Sequence, residues 1–599
     1  MISRFTHIMV CSIKKNFSLD LRSLALFRVV VSIILIIDFL FTRLPYFTLF
    51  YTNKGLLPLK QLFLYDSFWA GTSSLNFISS DSVFQLALLV ISIIFFFMLL
   101  IGYKTKWVLL GTWILLVSFQ SRNFLILNSG DTLLCLLIFW SLRLPLGKYF
   151  SIDSAFQEHK EKTNWFFSIP SSAFIFQILM VYYFTYLLKT DDIWKTGQAV
   201  YYALMLDNFR TQWGDILLQY PRVMNMLSHF TYYVVENLVP FLFVFFGIWW
   251  RFKMMLILVM CFFHLSLGTF LHLGLFSWVC LAGWIAFIPG EFWDRIKEHL
   301  PQKNHKLFVY YDGDCSFCKK MVLLIKTFLI LPHVSFSMAQ SDPQALSEME
   351  KQNSWLVFDG KTWWGRWKAW AVLVSYSPLF FYLSPVLKIK KMSLLGDWFY
   401  GKVAMNRKKL GYLLPHPGKE KECSKVVSIL LSCFFFFCFI YVIMWNVRTL
   451  NFNYYSKYMP KEWNRFGAFF HLHQHWNMFS PKPFDTTGWI ILSAIKSDTG
   501  DKIDLWRQGK PLRMNKPIRY DTSFPVFRFR KMIENVTTKY KKHSGNYLSY
   551  LCNKWNKKKG GRYIENIEFI YMRQKIPPPG GILPIPEFVS IRRKSCPKR

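Results

Sequence analysis

Residues 306–320 read Lys306-Leu-Phe-Val-Tyr-Tyr-Asp-Gly-Asp-Cys-Ser-Phe-Cys-Lys-Lys320. The run Lys306–Tyr311 has the composition of a buried β-strand, and Ser316–Leu331 that of a helix. Cys315 and Cys318 fall where the strand gives way to the helix, at a spacing that lets their sulfurs bridge. A helix N-terminus stabilises a thiolate through its dipole and free amides, and Lys319 and Lys320 add positive charge. The pattern therefore predicts thiol–disulfide exchange, with Cys315 as nucleophile and Cys318 as the resolving thiol. Asp312, Gly313 and Asp314 complete the motif as supporting residues. A zinc knuckle needs a second ligand pair, and no other CxxC or HxxxH lies in this region, so no metal is expected.

Outward from this motif the pattern stays soluble and α/β from His305 to about Pro415. Ser354–Asp359 reads as a further strand ending in an Asp-Gly turn. Ala371–Pro385, with two prolines, is too short for a span. Beyond these limits the chain changes character. Of 599 residues, 53% are hydrophobic and 19% aromatic, and only 18% are charged. That excludes disorder, and 11 cysteines are too few for a disulfide scaffold. The composition is that of a membrane protein. Apolar runs lie at Ser23–Thr42, Val83–Tyr103, Trp107–Phe119, Thr132–Leu146, Ala173–Leu188, His229–Trp250, Met254–Phe270 and Leu271–Pro289. A ninth lies at Lys425–Asn446. The basic N-terminus, with Arg4, Lys14 and Lys15, is too long in its apolar run to be a cleavable signal. Basic loops favour the cytoplasm. Eight spans return the chain to the cytoplasm for the CxxC domain, and the ninth carries the remainder to the far side.

The net charge of +37 needs a partner. From Asn446 onward there are about 30 Lys and Arg against about 10 Asp and Glu, over half the excess. No nucleic-acid reader motif accompanies them, so no nucleic acid is expected; membrane lipid headgroups are the natural counter-charge. The region after Asn446 is polar and rich in β-branched and turn residues, which predicts a β-rich domain. Cys552 and Cys596 could pair on an oxidising face. His471, His473 and His475 would share a face on a strand and could bind metal, or form a packed aromatic edge. Within the first run, Arg28 and Asp38 lie on nearly one stripe of a helix, as a buried structural pair with partners on neighbouring helices or as a functional one.

Two resemblances add to this reading. The segment 305–415 resembles the DCC-type thiol-disulfide oxidoreductases, through its YDGDCxxC start, Gly365 with Ala369, and Tyr400-Gly-Lys-Val-Ala-Met-Asn-Arg407. The resemblance implies a thioredoxin-like fold whose CxxC pair needs no cofactor. The membrane part resembles the HTTM domain shared with vitamin K-dependent γ-glutamyl carboxylase, through Asn128-Ser-Gly-Asp131, Leu144-Pro-Leu-Gly147 and Ser151-Ile-Asp153. Lys189-Thr-Asp-Asp-Ile-Trp194 is similar to the stretch around the carboxylase's catalytic lysine. Phe263-His264 and His475-Trp476-Asn477-Met478-Phe479 are similar to later parts of that enzyme. The resemblance implies Lys189 as a base acting on a vitamin K-like quinone, with His264, Asn128, Asp131 and Trp194 in support. The chain departs from the carboxylase in having no histidine near Asn128–Gly130.

The residues themselves leave alternatives open. Lys189 ends an apolar helix and could snorkel to the interface, or become a usable base if its site is dry. His264 could be a hydrogen-bonded structural histidine. Asn128 and Asp131 could simply cap a helix. The expected architecture is a multi-pass α-helical membrane bundle of about nine spans with an inserted α/β thioredoxin-like domain and a C-terminal β-rich extramembrane domain. The parts run 1–300 (bundle), 305–415 (DCC-type), 425–446 (ninth span) and 447–599 (basic, extracytoplasmic). The expected setting is a bacterial cytoplasmic membrane, with a protein or small-molecule disulfide as substrate of a reductase. A carboxylase-like enzyme acting on an extracytoplasmic peptide, or a non-catalytic receptor or export component, are the alternatives.

Overall fold

A computed structural model describes residues 14–65, 74–157, 163–299, 306–331, 334–415, 418, 424–558 and 563–597. Arg4 and His305 lie outside them. The chain is mostly helical. All nine apolar runs fold as helices, and their lengths separate them. Helices α1 (Leu21–Tyr51) and α2 (Ser82–Ile101) are long and apolar enough to cross a membrane. Helix α3 (Thr105–Arg122) ends in buried Gln120, Ser121 and Arg122, and α4 (Ser129–Ser141) has only 13 residues. Helices α5 (Ile169–Leu188), α6 (Pro221–Phe246) and α7 (Trp250–Phe270) again reach membrane length. Helices α8 (Leu275–Ile285) and α9 (Gly290–His299) form one pair bent by 78°. With the last long helix, the described residues hold six candidate spans, or seven counting the bent pair.

Local chemistry sets these limits. Asp20 and Asp81 accept backbone amides as N-caps of α1 and α2, and Ser168 makes a capping box on α5. Gly102, at φ 67°, ends α2 in the left-handed region open to glycine. In α1 the segment Asp38–Arg43 winds as a π-helix, a widened turn that sends both side chains inward.

The CxxC segment folds as a mixed four-stranded sheet with helices. The strands are β1 (Leu307–Tyr311), β2 (Val334–Met338), β3 (Leu356–Phe358) and β4 (Trp363–Gly365), in the order β2-β1-β3-β4. β1 and β2 are parallel, the other pairs antiparallel. Helix α10 (Ser316–Leu329) follows β1, and α11 (Pro343–Gln352), α12 (Arg366–Val374), α13 (Lys390–Met405) and α14 (Arg407–Leu413) complete the unit. Leu307, Val309, Val357, Ala369 and Leu373 form its core. Ala371, Leu373 and Val374 of the apolar stretch 371–385 are thus interior residues of this α/β unit. The unit rests on the bundle through Phe328 of α10, whose ring lies 5.1 Å from that of Phe150.

Helix α15 (Lys425–Leu450) is the last long apolar element. After it comes an antiparallel five-stranded sheet with outer strand β9 (Glu587–Ser595), then β8 (Ile564–Lys575), β5 (Thr486–Lys496), β6 (Lys502–Asp504) and β7 (Lys510–Pro511). Helices α16 (Phe527–Thr537) and α17 (Ser544–Lys558) pack against this sheet and the bundle. The region is therefore mixed α and β, where the sequence suggested mainly β. Cys552 and Cys596 form a disulfide that ties α17 to the end of β9. His471, His473 and His475 lie in a non-strand segment: His471 Nε2 is 2.9 Å from Ser121 Oγ, and His473 Nδ1 is 3.3 Å from the Gly467 carbonyl. Among the described residues no group of three His, Cys, Asp or Glu could hold a metal ion.

Candidate active site

β1 delivers the chain to a tight turn in which every polar group has a task. Asp312 Oδ1 accepts the Asp314 amide at 2.9 Å and Gln340 Nε2 at 3.0 Å. The Gly313 amide donates to Gln340 Oε1 at 3.0 Å. A Cβ on Gly313 would lie 2.9 Å from that oxygen and 3.0 Å from Met338 Sδ, so glycine allows the close approach. Gln340 is absent from the sequence reading. Its signal was positional: Tyr311 and Met338 are register partners, so residues just past Met338 meet the turn after Tyr311.

Cys315 is the N-cap of α10, and its Sγ accepts the Cys318 amide at 3.3 Å. That is the backbone donor a thiolate at a helix N-terminus would use. Both thiols are free and half-buried. Burial, then the hydrogen bond with Cys315, push the Cys318 thiol well above its ordinary range. Asp312 adds to this, while Arg407 opposes it. Cys318 thus stays protonated at neutral pH, as suits a resolving thiol. Burial raises the phenol pKa of Tyr400 on α13, and Cys318 adds a smaller push in the same direction. Tyr400 and Arg407 both belong to the closing sequence pattern.

Lys320 corrects one expectation. It is buried, and its Nζ donates to the carbonyls of Gly411 at 2.7 Å and Leu414 at 2.9 Å. It ties down the end of α14 and does not face the sulfurs; two residues beyond Cys318, it points from another side of the helix. Lys319 remains exposed.

The bundle residues fall into separate groups. Lys189 caps the end of α5, buried, with Nζ 2.5 Å from Glu236 Oε1 and 3.4 Å from the centre of the Trp194 ring. It does not snorkel. Trp194 Nε1 donates to the Phe479 carbonyl, and Tyr232 stacks on the Trp194 ring. His264 makes a different chain: Nε2 is 2.6 Å from Tyr182 Oη, which accepts Trp284 Nε1 at 2.7 Å. The described contacts do not join it to Lys189.

Asn128 and Asp131 form a capping box on α4. Asp131 has a second task. Its carboxylate meets Arg43 and Arg528, each at 2.9 Å, while Asp38 meets Arg43 at 2.7 Å and Arg528 at 2.6 Å. All four side chains are at most 1% exposed, and the two carboxylates balance the two guanidiniums. Asp38 is therefore not the partner of Arg28, which donates to the Phe150 carbonyl.

Two half-buried thiols stand at a helix N-terminus, one held protonated and one accepting a backbone amide, an arrangement able to carry out thiol–disulfide exchange. Residues 309–412 match the family model described as DCC1-like thiol-disulfide oxidoreductase, and the chain carries such a domain there. The match does not extend to the bundle, so the HTTM and carboxylase resemblance is not shown by it. No curated protein and no solved structure matches the chain.

Proposed function

We propose that this chain is a membrane-integrated thiol–disulfide oxidoreductase of the reductase type, acting through Cys315 and Cys318 on a protein or small-molecule disulfide. The observation that carries the reading is the Cys315 Sγ at the N-cap of α10, accepting the Cys318 amide. The mixed sheet with the CxxC after its first strand supports a thioredoxin-like unit. Counting the bent pair as one span, six membrane-length elements precede the domain. That count is even, which supports a domain on the side of the N-terminus and a C-terminal region opposite. A reducing thiol pool would keep the CxxC reduced, and an oxidising face suits Cys552–Cys596. The test is a Cys318→Ser variant in membranes, expected to trap substrate as a mixed disulfide on Cys315. Absence of any trapped species, with Cys315 alkylated no faster than Cys433, would sink it.

The burial of Lys189 favours a second activity in the bundle. Its ammonium, the Glu236 carboxylate and the rings of Trp194, Tyr186 and Tyr232 suit a flat quinone of the vitamin K type. Such a group would supply two-electron redox chemistry. Lys189 would hold or accept a proton at Nζ, Glu236 would fix its position, and Trp194 would exclude water. A carboxylase-like action on an extracytoplasmic peptide is the alternative use of the same base. Quinone binding unchanged in Lys189→Met would remove this second activity.

A further inference from the structure

Helix α13 presents Leu394, Leu395, Trp398, Phe399 and Met405 to the outside, each between 58% and 72% exposed. Their spacing, with Lys391 and Lys402 in the same series, makes one continuous stripe along the helix. The opposite side is committed to the domain: a Cβ on Gly396 would lie 1.9 Å from the Trp367 ring, so the helix sits directly on that indole. A soluble unit has no reason to expose a contiguous stripe of this kind.

The charges around the stripe indicate what covers it. Between Ser384 and Tyr412 lie Lys388, Lys390, Lys391, Lys402, Arg407, Lys408 and Lys409 against a single acid, Asp397. Asp397 is engaged internally, accepting the Trp367 amide at 3.1 Å. A second copy of the chain would set seven cations against seven cations. An aromatic and aliphatic stripe bordered by lysines is instead the pattern of a helix lying in a membrane interface, rings among the acyl chains and ammonium groups among the headgroups. The domain is fastened at both ends to membrane-length segments, the bent pair before it and α15 after it.

We infer that α13 lies on the bilayer and binds the acidic phospholipid headgroups of the adjoining leaflet, so that the redox domain is seated on the membrane as well as tethered to it. This rests on the membrane reading of the bundle. Its consequence reaches the site, because α14, which follows α13 directly, packs beside the CxxC: a Cβ on Gly411 would lie 3.5 Å from Phe317 Cβ, between the two cysteines. Seating α13 fixes the distance of the thiols from the membrane plane and favours substrates presented at that surface.

The test uses the full chain in vesicles of phosphatidylcholine, with or without phosphatidylglycerol, each carrying a photoactivatable analogue of one lipid. Lipid adducts are then mapped by peptide. Expected are adducts on α15 with either analogue, and on 391–405 several-fold more with the phosphatidylglycerol analogue. Leu395→Glu with Trp398→Glu, both at exposed positions, should abolish the α13 adducts and leave those on α15. Adducts on α15 without adducts on α13 would overturn the seating while leaving the membrane reading intact. Equal labelling of α13 by both analogues would overturn the acidic-lipid preference. No adducts on α15 would remove the membrane reading itself.

Discussion

Replacing Arg528 with methionine tests how the C-terminal region is held. Arg528 reaches from α16 into the bundle, where its guanidinium meets both Asp38 oxygens at 2.8 and 2.6 Å and Asp131 at 2.9 Å. Without it, two buried carboxylates share the single cation of Arg43, and the core holds one uncompensated charge. Breaking a buried pair in this way costs about 3–5 kcal/mol, because the remaining charge can neither leave nor be hydrated. At about 1.4 kcal/mol per factor of ten, the opening equilibrium should rise by about 10²- to 10⁴-fold. Cys135 reports it: it is free, buried and one turn beyond Asp131 on α4. Its maleimide labelling, slow in the parent, should accelerate by that factor. Asp38→Asn added to Arg528→Met restores charge balance and should recover much of the loss. A labelling rate within threefold of the parent, or a double variant more open than the single, would refute the reasoning.

Further outcomes follow from the same geometry. Lys320→Met leaves the Gly411 and Leu414 carbonyls without their charged donor, so hydrogen exchange over 407–414 should rise by an amount equivalent to about 2 kcal/mol, while Cys315 alkylation stays near the parent rate. Burial, followed by the nearby Lys542, lowers the His543 pKa to about 4. The unfolded imidazole protonates near 6.5, so between those values the unfolded state binds more protons. Stability is then full above pH 6.5 and falls on acidification, by up to about 1.4 kcal/mol per pH unit; His543→Leu should flatten the urea-midpoint profile from pH 6.5 to 4. Cys318 should react with alkylating agents far more slowly than Cys315 at pH 7 in the reduced protein. Equal rates would contradict its raised pKa.

What the sequence made legible was local. The strand, the CxxC and the helix after it are contiguous, and each carries its own signal of composition or spacing. The apolar runs all became helices for the same reason. Which of them reach across a bilayer was less legible, because α3 mixes apolar and polar residues and α4 stops at 13 residues. Partners far apart in sequence left no mark: Glu236 for Lys189, and Arg528 for Asp38 across 490 residues. The polar composition of the region hid α16 and α17, whose apolar faces are explained only by the bundle and sheet they meet. Lys320 was misread because proximity in sequence was taken for proximity in space, although helical phase already turned it from the sulfurs.

The four-charge cluster also has a history in time. Asp38, Arg43 and Asp131 are synthesised before Arg528, which follows Asp131 by 397 residues. Until it docks, the nascent bundle carries an excess negative charge at the heart of its helices, a state expensive in an apolar setting. Completion of the core thereby waits on the synthesis of residue 528. A chain cut short before residue 528 is not a smaller working protein but a visibly unfinished one, open to the cell's quality-control proteases.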